Sequence, residues 1–182
     1  MIRLFTALLI PDEIKQKIYT ACRSVVDNYK QFNWEKPDKI HLTLKFIGEI
    51  PEDLVNPIKN ELSFSENYHH FNCSISRFGF FFRNGEPKIL WVGLNTDERI
   101  NKLVEELNRR LAILKVPNER RKFKPHITVL RFRKHPGEKF IKMFEEYRFE
   151  EIKFNLKTLS LIESKLLRTG SIHTEIKKYY LK

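Results

Sequence analysis

A repeat constrains this chain more than any other feature. "HLTLKF" begins at His41 and "HITVLRF" begins at His126, so a His-x-Thr pair recurs after 85 residues. The same shift carries Asp12-Glu13 onto Asp97-Glu98, Pro51 onto Pro136, Leu4 onto Ile89, Ala7 onto Val92 and Lys39 onto Lys124. It also carries the helical apolar stripe Ile18, Cys22, Val26, Tyr29 onto Leu103, Leu107, Leu111, Leu114. Two similar halves follow, each reading strand, helix, His-x-Thr strand, helix, strand. The first half is expected at 2–9, 12–29, 39–47, 52–62 and 70–80. The second is expected at 88–94, 97–114, 124–132, 137–147 and 152–163, with a last strand near 172–180. The fold class is α+β: two pseudo-symmetric lobes of antiparallel sheet, with outer helices, around a central groove. No linker separates the halves, so residues 1–182 are read as a single bilobal domain.

Strand alternation puts His41, Thr43 and Lys45 on one face and Leu42, Leu44 and Phe46 on the other. Residues i and i+2 share a face about 6.5–7 Å apart. Two His-x-Thr pairs facing each other therefore offer four convergent polar groups. Imidazole, with an unperturbed pKa of about 6.5, suits both halves of acid–base catalysis near neutrality. One neutral ring can take a proton from a nucleophile, and one charged ring can give a proton to a leaving group. Threonine hydroxyls can donate to an oxyanion between them. This set suits in-line displacement at phosphorus and leaves open which histidine is acid and which is base.

Metal binding is the rival use of paired histidines. His41, His69, His70, His126, His135 and His173 form no H-x-x-x-H pattern, and Cys22 and Cys73 no C-x-x-C. Neither a metal nor another cofactor is expected. Cys22 falls on the helical stripe and reads as a core thiol. The apolar run before Pro11 is too short for a membrane span, which needs roughly 20 residues, so no membrane partner is expected. Reduced cysteines and a cytoplasmic location are the default. The balance of 34 Lys+Arg against 23 Asp+Glu, a formal +11, suits an anionic partner. A generally lysine-rich chain accounts for that charge equally well.

"HLTLKFIGE" together with "FKPHITVLRF" resembles the 2H phosphoesterase superfamily, named for its two H-x-[ST]-x motifs. The nearer likeness is to its RNA 2′,3′-cyclic phosphodiesterase branch, also called the 2′-5′ RNA ligase family. "RLFTALLIP", "GFFFRNGEPKILWVGL" and "SLIESKLLRTGSIHTEI" extend the likeness over essentially the full length. The resemblance implies the 2H fold and metal-independent opening of RNA 2′,3′-cyclic phosphate ends to 2′-phosphomonoesters. It implies His41 as proton donor, His126 as proton acceptor, and Thr43 and Thr128 as phosphate-binding hydroxyls. It also implies Arg131 as a phosphate contact. The offset from His126 to Arg131 is odd, so a bulge, the strand end or side-chain reach must bring Arg131 round. Phe46 stands at the equivalent place in the first half. The partner is then RNA, or a nucleotide, with a 2′,3′-cyclic phosphate end, acted on by a monomer. Alternatives are 2′-5′ ligation, cleavage of another cyclic or 2′-5′ phosphodiester, and a non-catalytic RNA-binding module, which would not need two histidines. The chain departs from the family at Phe82, where proline is usual, and at His173, where tyrosine is common.

Two further segments carry expectations. "RFGFFF", Arg77 to Phe82, either stacks on bases or packs in the core, the core being the commoner fate of phenylalanine. Arg120, Arg121, Lys122 and Lys124 precede the second motif and either hold an RNA backbone, Arg121 among the contacts, or form a solvated loop.

Overall fold

The computed structural model describes residues 1–119, 121–168 and 170–182. Among the described residues eight strands and four α-helices follow in the order β1 (Ile2–Leu9), α1 (Asp12–Val25), β2 (His41–Ile50), α2 (Val55–Leu62), β3 (Phe71–Arg83), β4 (Glu86–Thr96), α3 (Arg99–Ile113), β5 (His126–Arg131), α4 (Glu138–Glu146), β6 (Lys153–Leu156), β7 (Thr158–Leu167) and β8 (Gly170–Tyr180). They build two four-stranded antiparallel sheets, β2-β1-β7-β8 and β5-β4-β3-β6. The α+β class with paired antiparallel sheets is as the sequence predicts. Among the described residues no helix is long and apolar enough to cross a membrane.

The repeat is present, but its halves exchange strands. β3 belongs to the first half yet pairs with β4, and β7 belongs to the second half yet pairs with β1. The cause is local. Asn84 and Gly85 both have positive φ, 52° and 77°, the conformation of a tight two-residue hairpin turn. That turn folds β3 back against β4 before it can reach β1. The stretch 152–163, expected as one strand, is two strands in different sheets. Phe71 pairs with Leu156, Leu8 pairs with Leu159, and Lys157 between them is where the chain crosses over.

Helix α1 stops at Val25 rather than running to 29. Val26 is already extended, with ψ 126°, at the second of two adjacent β-branched residues that precede Asp27-Asn28, a poor helical run. Tyr29 leaves the helical stripe and stacks on Trp34 at 4.6 Å.

The first strands also correct the alignment of the halves. Ala7 lies opposite Thr43 and Leu9 opposite His41, whereas Trp91 lies opposite Thr128 and Gly93 opposite His126. The structural partner of Ala7 is therefore Trp91, not Val92. A one-residue slip exchanges the two faces of a strand, so Val92 is core and Trp91 faces the groove.

One continuous core joins the two sheets and takes in Leu4, Leu8, Leu42, Ile14, Ile18 and Cys22 together with Val92, Leu103, Leu107 and Ile127. The opposite face of the first sheet carries a separate small cluster, Phe5, Ala7, Ile162 and Leu9. His41 emerges on that face, and His126 emerges on the face of the second sheet that carries Trp91.

Candidate active site

Strands β2 and β5 are the edge strands of their sheets and approach within 8 Å at their Cα atoms. The seam between the sheets is thus lined by the two His-x-Thr strands. Their burial patterns over six residues are identical: His41 and Thr43 half-buried, Leu42, Leu44 and Lys45 buried, Phe46 exposed, against His126, Thr128, Ile127, Val129, Leu130 and Arg131. A bulge causes this. Thr6 opposes Lys45 and Ala7 opposes Thr43, leaving Leu44 over; Leu90 opposes Leu130 and Trp91 opposes Thr128, leaving Val129 over. The extra residue reverses the alternation beyond it. Phe46 and Arg131 are brought to the histidine face, and Lys45 is turned away from it.

Lys45 therefore does not share a face with His41 and Thr43, contrary to the simple alternation. It is almost wholly buried, and its ammonium donates to Asn108 Oδ1 at 2.6 Å and to the Pro117 carbonyl at 2.7 Å. Burial lowers its pKa. Its repeat partner, Leu130, is simply core.

His126 is fixed by the backbone. Its Nδ1 lies 2.7 Å from the Lys124 carbonyl. A carbonyl can only accept, so Nδ1 carries the proton and Nε2 is left for the groove. Burial lowers its pKa; the Lys124 hydrogen bond opposes that shift, and the charge of Arg131 adds to it. Phe81 meets the ring edge-on at 4.8 Å.

His41 is held by aromatic walls. Phe5 lies 5.0 Å from it and His173 5.5 Å from it, and Phe5 is also 5.0 Å from His173. Among the described residues the buried Nδ1 atoms of His41 and His173 have no hydrogen-bond partner. Burial pushes His41 down to about 3, with further lowering from the charges of His173, Arg131 and Lys15. His173 is also lowered, first by burial and then by Lys39. The charge of Arg131 adds to the lowering at all three rings.

Arg131 is oriented by Glu35, to which its Nε donates at 2.8 Å. Glu35 is itself anchored, its N–H donating to the Val129 carbonyl at 2.9 Å, and its carboxylate lies 4.0 Å from Lys39. Phe46 is exposed and lies 6.1 Å from Phe5. Arg121 is exposed in the loop that leads into β5, and Arg120 lies outside the described residues. Of the Arg77–Phe82 run, Phe78 and Phe80 are core, Phe81 flanks His126, and Phe82 is exposed.

Trp91, Phe5 and Glu35 were not singled out from the sequence, and Phe81 only as part of the Arg77–Phe82 run. Trp91 had a signal: counted in the correct register it is the residue opposite Thr128. Its indole lies across Gly79, where a Cβ would come within 2.3 Å of Cζ2. Only glycine admits that approach. Among the described residues no group of three or more His, Cys, Asp or Glu side chains is placed to hold a metal ion.

A duplicated α+β fold that brings one His-x-Thr strand from each half to a common seam is the architecture of the two-histidine phosphoesterases. The chain belongs to the family of LigT-like phosphoesterases, whose sequence profile matches residues 8–91 and 92–173, one match for each half. It is similar to a Thermotoga maritima protein named RNA 2′,3′-cyclic phosphodiesterase, 29% identical over 94% of this chain and 91% of that one. An Aquifex aeolicus protein of the same name is 30% identical over 81% of each chain. Among solved structures, a Thermus thermophilus protein superposes with a TM-score of 0.78 at 26% identity, covering 98% of this chain and 97% of the other.

Proposed function

We propose that this protein opens RNA 2′,3′-cyclic phosphate ends by acid–base catalysis without a metal. The observation that carries the reading is the pair of identically bulged His-x-Thr strands meeting at one seam. The names of the Thermotoga and Aquifex relatives support the substrate class.

The reaction is an in-line displacement. His126, neutral at Nε2, takes a proton from water as the water oxygen bonds to phosphorus. The bond from phosphorus to the 3′ oxygen breaks, and His41 gives that oxygen a proton. A 2′-phosphomonoester and a free 3′-hydroxyl result. Thr43, Thr128 and Arg131 hold the non-bridging oxygens. The family resemblance supplies this choice of donor and acceptor, and the Nδ1–H bond to Lys124 supports His126 as the base.

The low pKa of His41 bears directly on this scheme. In the free protein its ring is neutral at pH 7, so it cannot yet donate. A bound phosphate places a negative charge beside it and favours the charged form. Substrate therefore charges its own acid.

Turnover of a 2′,3′-cyclic nucleotide, followed by phosphorus NMR with and without a strong chelator, tests the proposal. A 2′-monophosphate formed at the same rate in both samples is expected. Loss of activity on chelation, restored by a divalent ion, overturns the metal-free route. An inert cyclic phosphate beside a cleaved 2′-5′ linkage moves the assignment to that chemistry.

A further inference from the structure

The face of the second sheet that carries His126 continues well past the seam. On β4 the residues Trp91, Gly93 and Asn95 alternate to that face, and Gly93 lies opposite His126. Asn95 is two residues further along, about 7 Å at strand rise. It lies opposite Ser74, which in turn lies opposite Lys153 on β6, and Asn72 lies opposite Asn155. These side chains line an open hollow of about 480 Å³. Ile75 pairs with Leu94 and Phe78 with Val92, so Ser76 and Arg77 both oppose the single Gly93. Ile75 and Phe78 are core, and that bulge leaves Arg77 exposed on β3, across Gly93 from His126 and next to the row of the hollow.

The chemistry of this stretch is distinctive. Three amides and a hydroxyl sit side by side, with one long contact among them, Asn95 Nδ2 to Ser74 Oγ at 3.4 Å. Among the described residues these side chains make no other hydrogen bond to a side chain. Two carboxylates close by in sequence, Glu151 and Asp97, are each paired with a cation, Lys153 at 2.8 Å and Arg99 at 2.7 Å. The first sheet offers no counterpart. Ser160 there answers to Gly79, and β7 begins only at Thr158, so that sheet ends before the row of Ser74 and Asn95. A polyanion leaving the seam along the second sheet meets a row of amides and the guanidinium of Arg77.

The geometry points to a binding track for single-stranded RNA on this side. Asn72, Asn95 and Asn155 take the nucleotides that precede the cyclic end, and Arg77 neutralises a phosphate between them. Amides pair with base edges and with ribose hydroxyls, the groups that an unpaired strand exposes. This inference rests on the RNA reading above and extends it, since a cyclic mononucleotide would never reach the hollow.

The test compares the wild type with Asn72→Ala/Asn95→Ala, and separately with Arg77→Ala. Binding of a four-residue oligoribonucleotide ending in a 2′-phosphate is measured beside binding of a 2′-mononucleotide. The wild type is expected to prefer the oligonucleotide, and the double variant to lose about tenfold on it while holding the mononucleotide unchanged. Arg77→Ala is expected to lower oligonucleotide affinity and to flatten its salt dependence. Equal affinity of wild type and double variant for the oligonucleotide overturns the track, as does an equal loss on both ligands. Turnover of the cyclic forms is measured in parallel. If neither is opened, the proposed activity fails, while the binding comparison still judges the track.

Discussion

The two lobes share one backbone device and then diverge around it. The same bulge follows His-x-Thr in β2 and in β5, so each lobe delivers an imidazole, a hydroxyl and a third side chain to the seam. The third is Phe46 in one lobe and Arg131 in the other, and Arg131 is held by Glu35. The residue turned inward is Lys45 in one and Leu130 in the other. The residue facing the threonine is Ala7 in one and Trp91 in the other. His126 is tied to a carbonyl, whereas Nδ1 of His41 has no partner among the described residues. Duplication thus accounts for two imidazoles of the same kind. The substitutions beside them make the two rings unequal, as the proposed reaction with one acid and one base requires.

The most severe way to break the comparison is to separate the lobes. Because β3 and β7 are exchanged, neither half holds all the strands of its own sheet. We propose that the chain folds as one bilobal unit. Residues 1–85 and 86–182, produced separately, are expected to lack cooperative unfolding transitions and to regain them when mixed. A first half that unfolds cooperatively alone would show that the exchange is not essential.

Next in size is loss of either imidazole. His41→Ala and His126→Ala are each expected to lower turnover by at least about a hundredfold, the range of one general acid or base. The double variant is expected to lose far less than the product of the two, since the residues act as a unit. Near-normal turnover by either single variant would end the assignment of paired roles.

Arg131 and Phe46 come third. A charge-assisted hydrogen bond to phosphate contributes about 1.5–3 kcal/mol, so Arg131→Ala is expected to lower kcat/KM by roughly ten- to a hundredfold. Phe46→Ala is expected to cost only a few-fold, because an exposed ring beside Phe5 supplies packing to sugar or base and no charge. Equal losses at the two positions would mean that the third side chains are not differentiated.

How much of this was legible in the sequence varied from residue to residue. The repeat exposed His41, Thr43, His126 and Thr128, because a shift of 85 residues aligns both motifs. The α+β layout followed from apolar periods within each half. The strand exchange did not follow, since it depends on a two-residue turn that decides which strand β3 meets first. Lys45 was placed on the wrong face, because a bulge cannot be read from alternation alone. The same bulge explains Arg131, whose odd spacing from His126 did signal that something irregular had to intervene. Glu35 was invisible because it reaches Arg131 from a loop of the other half, 96 residues away. His173 was noticed only as a departure from the family, and its closeness to His41 required the β7–β8 register.

That closeness gives the smallest and most specific effect. In the proposed reaction His41 must be charged to donate, and in the free protein burial is the main cause of its low pKa, with the charge of His173 second. His173→Tyr removes a neighbour that can become cationic and leaves the burial nearly unchanged. The His41 pKa is expected to rise, by less than burial has lowered it. In a profile of kcat/KM against pH, which reports the free protein, the acidic limb belongs to the more depressed group and should shift upward. The alkaline limb, set by His126, should stay where it is. The stability of the unliganded protein should respond with the matching sign. His41 is neutral in the fold and binds a proton more readily when unfolded, so its contribution is present above about pH 6.5 and is lost as pH falls towards 3. His173→Tyr should lessen that loss, seen as a smaller fall in Tm between neutral and mildly acidic buffer. An alkaline limb that moves with the substitution would place His173 against His126 rather than His41, and would reverse the pairing of rings on which this lobe has been described.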